Sequence, residues 1–230
     1  MIRNLFLFTL LLVFLAGPAF AQNPKGRKQA PAKGNTLNPP SAQAKPARLK
    51  KKAITPKIEL KLPADFQVMS LDDLADEYPT WKKPLAAYTD PKGHADFIVT
   101  ERRSDFPAKD LPLLQQFLQS SIRQMYSDVN FLNEKIQTIN GRDYLVLEFT
   151  SLMKYEDADF SAIKKPIRKY SYLMYTIHDA QNKMTVFSFQ TPIELKSTWE
   201  NTVPEIMETI IFKTPKPDPA QQDKQNTFGK

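Results

Sequence analysis

Two histidines, His94 and His178, are the side chains whose ordinary pKa lies nearest neutrality, and acid–base chemistry would begin with them. Each falls at the end of a predicted hairpin, without a nucleophile or orienting carboxylate at a recognisable spacing, and each reads as a solvated turn residue. Asp72, Asp73, Asp76 and Glu77 crowd one short segment. Acids in the first turn of a helix answer its dipole, so they are read as helix stabilisers rather than a cation site. Glu156, Asp157 and Asp159 lie in a polar stretch that lacks the glycine and the spacing of a calcium loop. No metal and no cofactor is expected.

Other chemistries are set aside on composition. Cysteine is absent, which removes thiol nucleophiles, Cys-based metal sites, disulfides and a lipid-modified N-terminal Cys. Of six glycines only Gly93 and Gly141 fall in the central region, too few for a phosphate-cradling glycine loop or a dinucleotide fingerprint. Neither a Gly-x-Ser-x-Gly elbow nor a His-Glu-x-x-His pair occurs. An enzyme is therefore not expected.

The stretch Lys154 to Pro166 is the candidate binding loop. It joins two long predicted strands, sets opposite charges side by side, and carries Tyr155, Asp157, Asp159 and Phe160 as contact residues. Loops held on a rigid sheet are where binding surfaces tend to lie. The competing reading is a connection with no partner.

Charge divides the chain. Residues 22–57 hold ten Lys or Arg, no Asp or Glu and six prolines. So little apolar surface cannot offset the entropy of ordering, and the segment is expected to be a disordered basic linker. Within it Arg48, Lys50, Lys51 and Lys52 form the candidate electrostatic tether to anionic envelope material, against the alternative of a solvated spacer. Residues 58–212 hold 17 basic and 23 acidic side chains, so the net charge of +7 hides an acidic centre. Residues 214–230, rich in Pro, Gln and Lys, read as a second disordered tail.

The first 21 residues read as a secretory signal peptide. Arg3 precedes an apolar run from Leu5 to Ala16, and Ala19-Phe20-Ala21 places small residues where signal peptidase reads them. The run is shorter than the roughly 20 apolar residues needed to span a bilayer. Export to a periplasm, or secretion where the source has one membrane, is the expected address, and nucleic acid is not expected as a partner there.

The centre reads as strands and two main helices. Ile58 to Leu62 alternates as a strand, and Ser70 with Asp73 forms a capping pattern for a helix ending near Glu77. Leu85 to Thr89 and Ala95 to Glu101 form a hairpin. Asp110 to Ser127 is an amphipathic helix through Leu114, Phe117, Leu118, Ile122, Met125 and Tyr126. Asn140-Gly141 suits a type I′ turn between strands 131–139 and 142–153. Arg168 to Asp179 and Met184 to Gln190 form another hairpin, whose Tyr170, Tyr172 and Tyr175 divide between the faces. A last helix carries Trp199, Val203, Ile206 and Ile210, broken or kinked near its middle by Pro204. The expected fold is α+β: an antiparallel β-sheet covered by helices on both faces, an α/β/α sandwich over 58–213.

The order of these signals resembles the PsbP-like superfamily, which includes a photosystem extrinsic subunit and bacterial periplasmic DcrB-type proteins. The resemblance rests on Leu62-Pro63, the glycine hairpin leading to Asp96-Phe97-Ile98-Val99, the long helix, Ile139-Asn140-Gly141, the paired long strands, and Ile206 to Phe212 after a Trp helix. It implies a sheet flanked by helices and an accessory or binding role without a shared catalytic motif. The function expected is a non-catalytic envelope protein with an unidentified protein or anionic partner. The alternative is a small-molecule or lipid carrier with a cavity between sheet and helix.

Overall fold

The computed structural model describes residues 48–77, 83–153 and 167–213. The signal segment, most of the basic linker, the tail from 214, and Tyr155, Asp157, Asp159 and Phe160 of the candidate loop lie outside the described residues.

Among the described residues ten strands and four α-helices follow in chain order: β1 (Leu49–Thr55), β2 (Ile58–Pro63), β3 (Gln67–Val68), α1 (Leu71–Glu77), β4 (Ala86–Thr89), β5 (Asp96–Arg103), α2 (Leu111–Met125), β6 (Tyr126–Ile139), β7 (Arg142–Met153), β8 (Arg168–His178), β9 (Lys183–Pro192), α3 (Lys196–Trp199), α4 (Thr202–Glu208) and β10 (Ile211–Phe212). They build a seven-stranded sheet, β3-β4-β5-β9-β8-β7-β6, and a three-stranded sheet, β1-β2-β10. Every pairing is antiparallel.

Local chemistry accounts for the turns. Ser70 Oγ accepts from the Asp73 amide at 3.1 Å and donates to the Asp73 carboxylate at 2.6 Å, which starts α1 as its sequence requires. Asn140 and Gly141 both hold positive φ, 50° and 75°, the geometry of a type I′ turn. The Asp90 carboxylate accepts from the amides of His94 and Ala95 and so closes the β4–β5 hairpin.

Alternation gives the large sheet two apolar faces. On one, Ile98, Ser188, Leu173 and Leu147 stand side by side across β5, β9, β8 and β7. Here α2 sets Leu111, Leu114, Leu118 and Ile122 against Leu145, Leu147, Phe149 and Tyr175, while Leu74 of α1 packs on Ile98 and Ala87. On the other, Val99, Phe187, Met174 and Val146 stand in one row. Over them lie Ile58, Leu60 and Leu62 of β2, Ile54 of β1, and Val203, Ile206 and Met207 of α4.

That second layer corrects the expected sandwich. The antiparallel α+β class holds, but the second face is covered by a small sheet together with a short helix. The reason is in β2, five of whose six residues are buried, so it must lie against the core and not at a rim. Its free edge then recruits β1. Leu49–Thr55, expected in the disordered linker, pairs with β2 from Leu49 opposite Pro63 to Thr55 opposite Ile58. The folded region therefore begins before Ile58. Lys51 and Lys52 are strand residues; Lys51 pairs with Glu59 at 2.5 Å and Lys52 sits 5.9 Å from the centre of the Tyr88 ring. Arg48 and Lys50 are exposed.

Two smaller differences have clear causes. The long helix stops at Met125 because Tyr126 takes extended angles, φ −106° and ψ 153°, and opens β6. Pro204 does not break the last helix. The break falls before Thr202, and Pro204 sits in the first turn of α4, where amides have no intrahelical acceptor and a missing N–H costs little. All three tyrosines of β8 are buried: Tyr170 and Tyr172 face β2 and α4, Tyr175 faces α2.

Candidate functional site

The β7–β8 register places Leu145 opposite Tyr175. Carried to the end of the sheet, it sets Arg142, the first residue of β7, beside His178, the last of β8. His178 in turn pairs with Lys183, which opens β9. Lys183 donates to Glu101 of β5 at 2.6 Å. Strand alternation turns all four side chains to the face covered by the small sheet. That sheet supplies the opposite wall: Thr55 and Lys57 from the β1–β2 turn, Ile58, and Phe212 with Lys213 at β10. Together with Leu85 and Gln181 these residues line an open cleft of about 440 Å³.

Each wall is held in place. Thr55 Oγ1 accepts from the amides of Lys57 and Ile58 and fixes the turn. The Lys213 amide donates to the Lys57 carbonyl at 2.7 Å, and the Asn140 side-chain amide donates to the Ile210 carbonyl at 2.8 Å. The β6–β7 turn is thereby tied to β10. Arg142 lies 4.3 Å from the centre of the Phe212 ring, a cation–π distance, and its Nη1 approaches His178 Nδ1 at 3.0 Å. The His178 ring packs on Phe212 with centroids 4.8 Å apart.

Because an arginine can only donate, His178 Nδ1 is the acceptor and its Nε2 carries the proton. Partial burial first, and the Arg142 charge second, hold the His178 pKa below the ordinary histidine value, with Glu101 opposing. The ring is thus neutral near pH 7. His94, the other histidine, is exposed on the β4–β5 turn. Reading both as solvated turn residues was correct for His94 and not for His178.

Glu59 anchors the wall from behind. It is buried to about nine-tenths and takes ion pairs from both Lys51 and Lys213, linking β1, β2 and β10. Hydrogen bonds from Lys213 and then Lys51 hold its pKa below the usual carboxylate range. A depressed folded pKa gives stability that is present above the unfolded value and lost as pH falls through the folded one. The expected result is that Glu59→Gln is less stable than the parent at pH 7, and that the gap is narrower at pH 3, below the unfolded carboxylate pKa of about 4.3, and closes only below the depressed folded value. Urea unfolding at both pH values measures this; a gap unchanged between them would contradict the pairing.

Of the candidate residues read from the sequence, Arg48, Lys50, Lys51 and Lys52 lie on β1, and Lys51 and Lys52 are engaged within the fold. None of the four lines the cleft.

No family model matches the sequence, and no curated protein matches it. Solved structures do. The chain is similar to cyanobacterial PsbP (CyanoP) from Synechocystis, with 11% identity and a TM-score of 0.48, over 75% of this chain and 96% of that one. It is similar to the Saccharomyces cerevisiae Ran-binding protein Mog1p, with 12% identity and a TM-score of 0.47, over 72% and 96%. It is also similar to LpqN of Mycobacterium tuberculosis, described as involved in cell envelope biogenesis, with 11% identity and a TM-score of 0.47, over 73% and 91%.

Proposed function

We propose that the protein is an exported, non-catalytic accessory protein of the cell envelope, which meets anionic envelope material through its basic N-terminal arm. The observation that carries this reading is the separation of charge along the chain. Ten cations and no acids occupy residues 22–57, ahead of a centre with six more acids than bases. Such a block attracts anionic surfaces over about a Debye length and is screened by salt. The part of the arm within the described residues supports this: Arg48 and Lys50 stay exposed, while Lys51 and Lys52 are used in holding β1.

The carrier reading finds less support. A lipid cavity between sheet and helix needs space under α2. Leu114, Leu118 and Ile122 fill that space, each at most 1% exposed, against equally buried Leu145, Leu147 and Phe149. A hydrolase also finds less: His178 is directed at Arg142 and Phe212, and Thr55 Oγ1 in the same cleft accepts from two backbone amides.

The test uses chain recovered from the envelope fraction of expressing cells. Its mass should begin at Gln22. It should co-sediment with phosphatidylglycerol-containing vesicles at low salt, and be released at high salt. Neutral phosphatidylcholine vesicles should not retain it. Equal behaviour on both vesicle types, at every salt concentration, would remove the tether; a mass including the first 21 residues would remove the export.

A further inference from the structure

The cleft between the two sheets has no part in the proposal above, and its chemistry is distinct from that of a flexible basic arm. Four cations line it: Lys57, Arg142, Lys183 and Lys213. Two are matched by carboxylates, Lys183 by Glu101 and Lys213 by Glu59. Neither Lys57 nor Arg142 has a carboxylate partner among the described residues. The cleft therefore carries two positive charges beyond its ion pairs, on a floor of Phe212 and Ile58. At about 440 Å³ it falls within the size range of small-ligand sites, about 300–1,000 Å³.

We infer that this cleft is a binding site for a phosphate monoester, with Arg142 and Lys57 holding the phosphoryl oxygens and His178 donating from Nε2. Three observations converge. A phosphate monoester carries close to two negative charges near pH 7, which matches the uncompensated pair. Arg142 is held by the Phe212 ring and by His178, so its fork is oriented before any ligand arrives, and a planar guanidinium is suited to phosphate oxygens. The His178 ring uses Nδ1 as the acceptor for Arg142, which leaves Nε2–H as a donor. Phe212, Ile58 and Leu85 supply apolar contacts for the ester's organic part. A free phosphate ester and a phospholipid headgroup share this chemistry.

The same geometry supplies a reporter. The charged groups that act on His178 are Arg142 of β7, Lys183 of β9, Lys57 of the β1–β2 turn and Glu101 of β5. Three are cations that disfavour its protonation. A bound dianion would screen them and favour the imidazolium, so the titration midpoint of His178 must rise on binding. The chain has two histidines, and exposed His94 serves as the internal control.

The experiment records the two histidine ring signals by NMR across pH, on the intact chain, with inorganic phosphate, glycerol 3-phosphate, phosphatidic acid vesicles, or acetate as a monoanion control. The expected result is an upward shift of the His178 midpoint with both phosphates, none with acetate, and no change at His94. Lys57→Gln, at an exposed turn position, should weaken phosphate binding about tenfold. Arg142→Gln should abolish the shift. A response to glycerol 3-phosphate in solution points to a soluble ester. A response only to phosphatidic acid vesicles points to a headgroup. If His178 responds to none of these, or moves together with His94, or if Lys57→Gln binds as the parent does, the proposal is overturned. The named cleft residues run from Thr55 to Lys213, so the His178 midpoint and vesicle binding through residues 22–47 are separate readouts, and loss of the second leaves the first to be judged by itself.

Discussion

Phe187→Ala should remove about 3–5 kcal/mol of stability, a large fraction of the roughly 5–15 kcal/mol that holds a domain folded. Phe187 has no solvent exposure and lies in β9, between β5 and β8. Val99 and Met174 flank it in register, and the Phe212 ring meets it edge-on with centroids 6.2 Å apart. Its side chain therefore touches both sheets. The residues around it, at 0–4% exposure, include Val99, Met174 and Ile58, and they belong to a tightly packed core that cannot collapse into the space left behind. Urea unfolding measures the loss as a lower midpoint at unchanged slope. A cost below about 1 kcal/mol would mean that the small sheet does not lie on this face.

Most of the large sheet was legible because its strands declare themselves locally. Leu145, Leu147 and Phe149 alternate with Tyr144 and Val146, and the chain turns back at Asn140-Gly141 in a conformation few other dipeptides accept. Helix α2 was legible for the same kind of reason, through a stripe at spacings of three and four. What failed was inference from composition where a neighbour decides. Leu49-Lys-Lys-Lys-Ala-Ile-Thr55 has little apolar surface of its own, and alone it would not order. It becomes a strand because β2 offers it a hydrogen-bonding edge, Glu59 offers Lys51 a partner, and Ile54 finds the core. β-propensity of this sort belongs to the pair and not to the segment.

The cleft was illegible for a related reason. Glu101, Arg142, His178 and Lys183 are scattered over more than eighty positions, and none sits in a motif. Only register brings them together, since the parity of each position selects the face and the strand ends select the level. The hairpins at Asn140-Gly141 and around Ala180 are both legible in the sequence and put Arg142 and His178 near sheet ends. The β7–β8 register and the return of Phe212 against both side chains have no local signal in the sequence. The candidate loop at Tyr155, Asp157, Asp159 and Phe160 rests on its place between two long strands, its opposite charges and its two aromatic residues, signals that do not depend on register.

The small sheet is the element on which both the core and the cleft depend, and β1 is the part of it that composition argues against. Its seven residues should behave as folded backbone in the intact chain. Each amide that donates across to β2 should then exchange hydrogen slowly. Strands that open only with the whole domain are protected by the full free energy of unfolding, so protection factors on the order of a thousand or more are expected. Amide hydrogen exchange, followed by mass spectrometry on a peptide spanning Leu49–Thr55, measures this directly against one from β8. Protection persisting in β1 after exposed turns have exchanged is the predicted result. Complete exchange of β1 at the earliest time point, while β8 stays protected, would show that the basic segment is not part of the fold and that the cleft lacks the wall it requires.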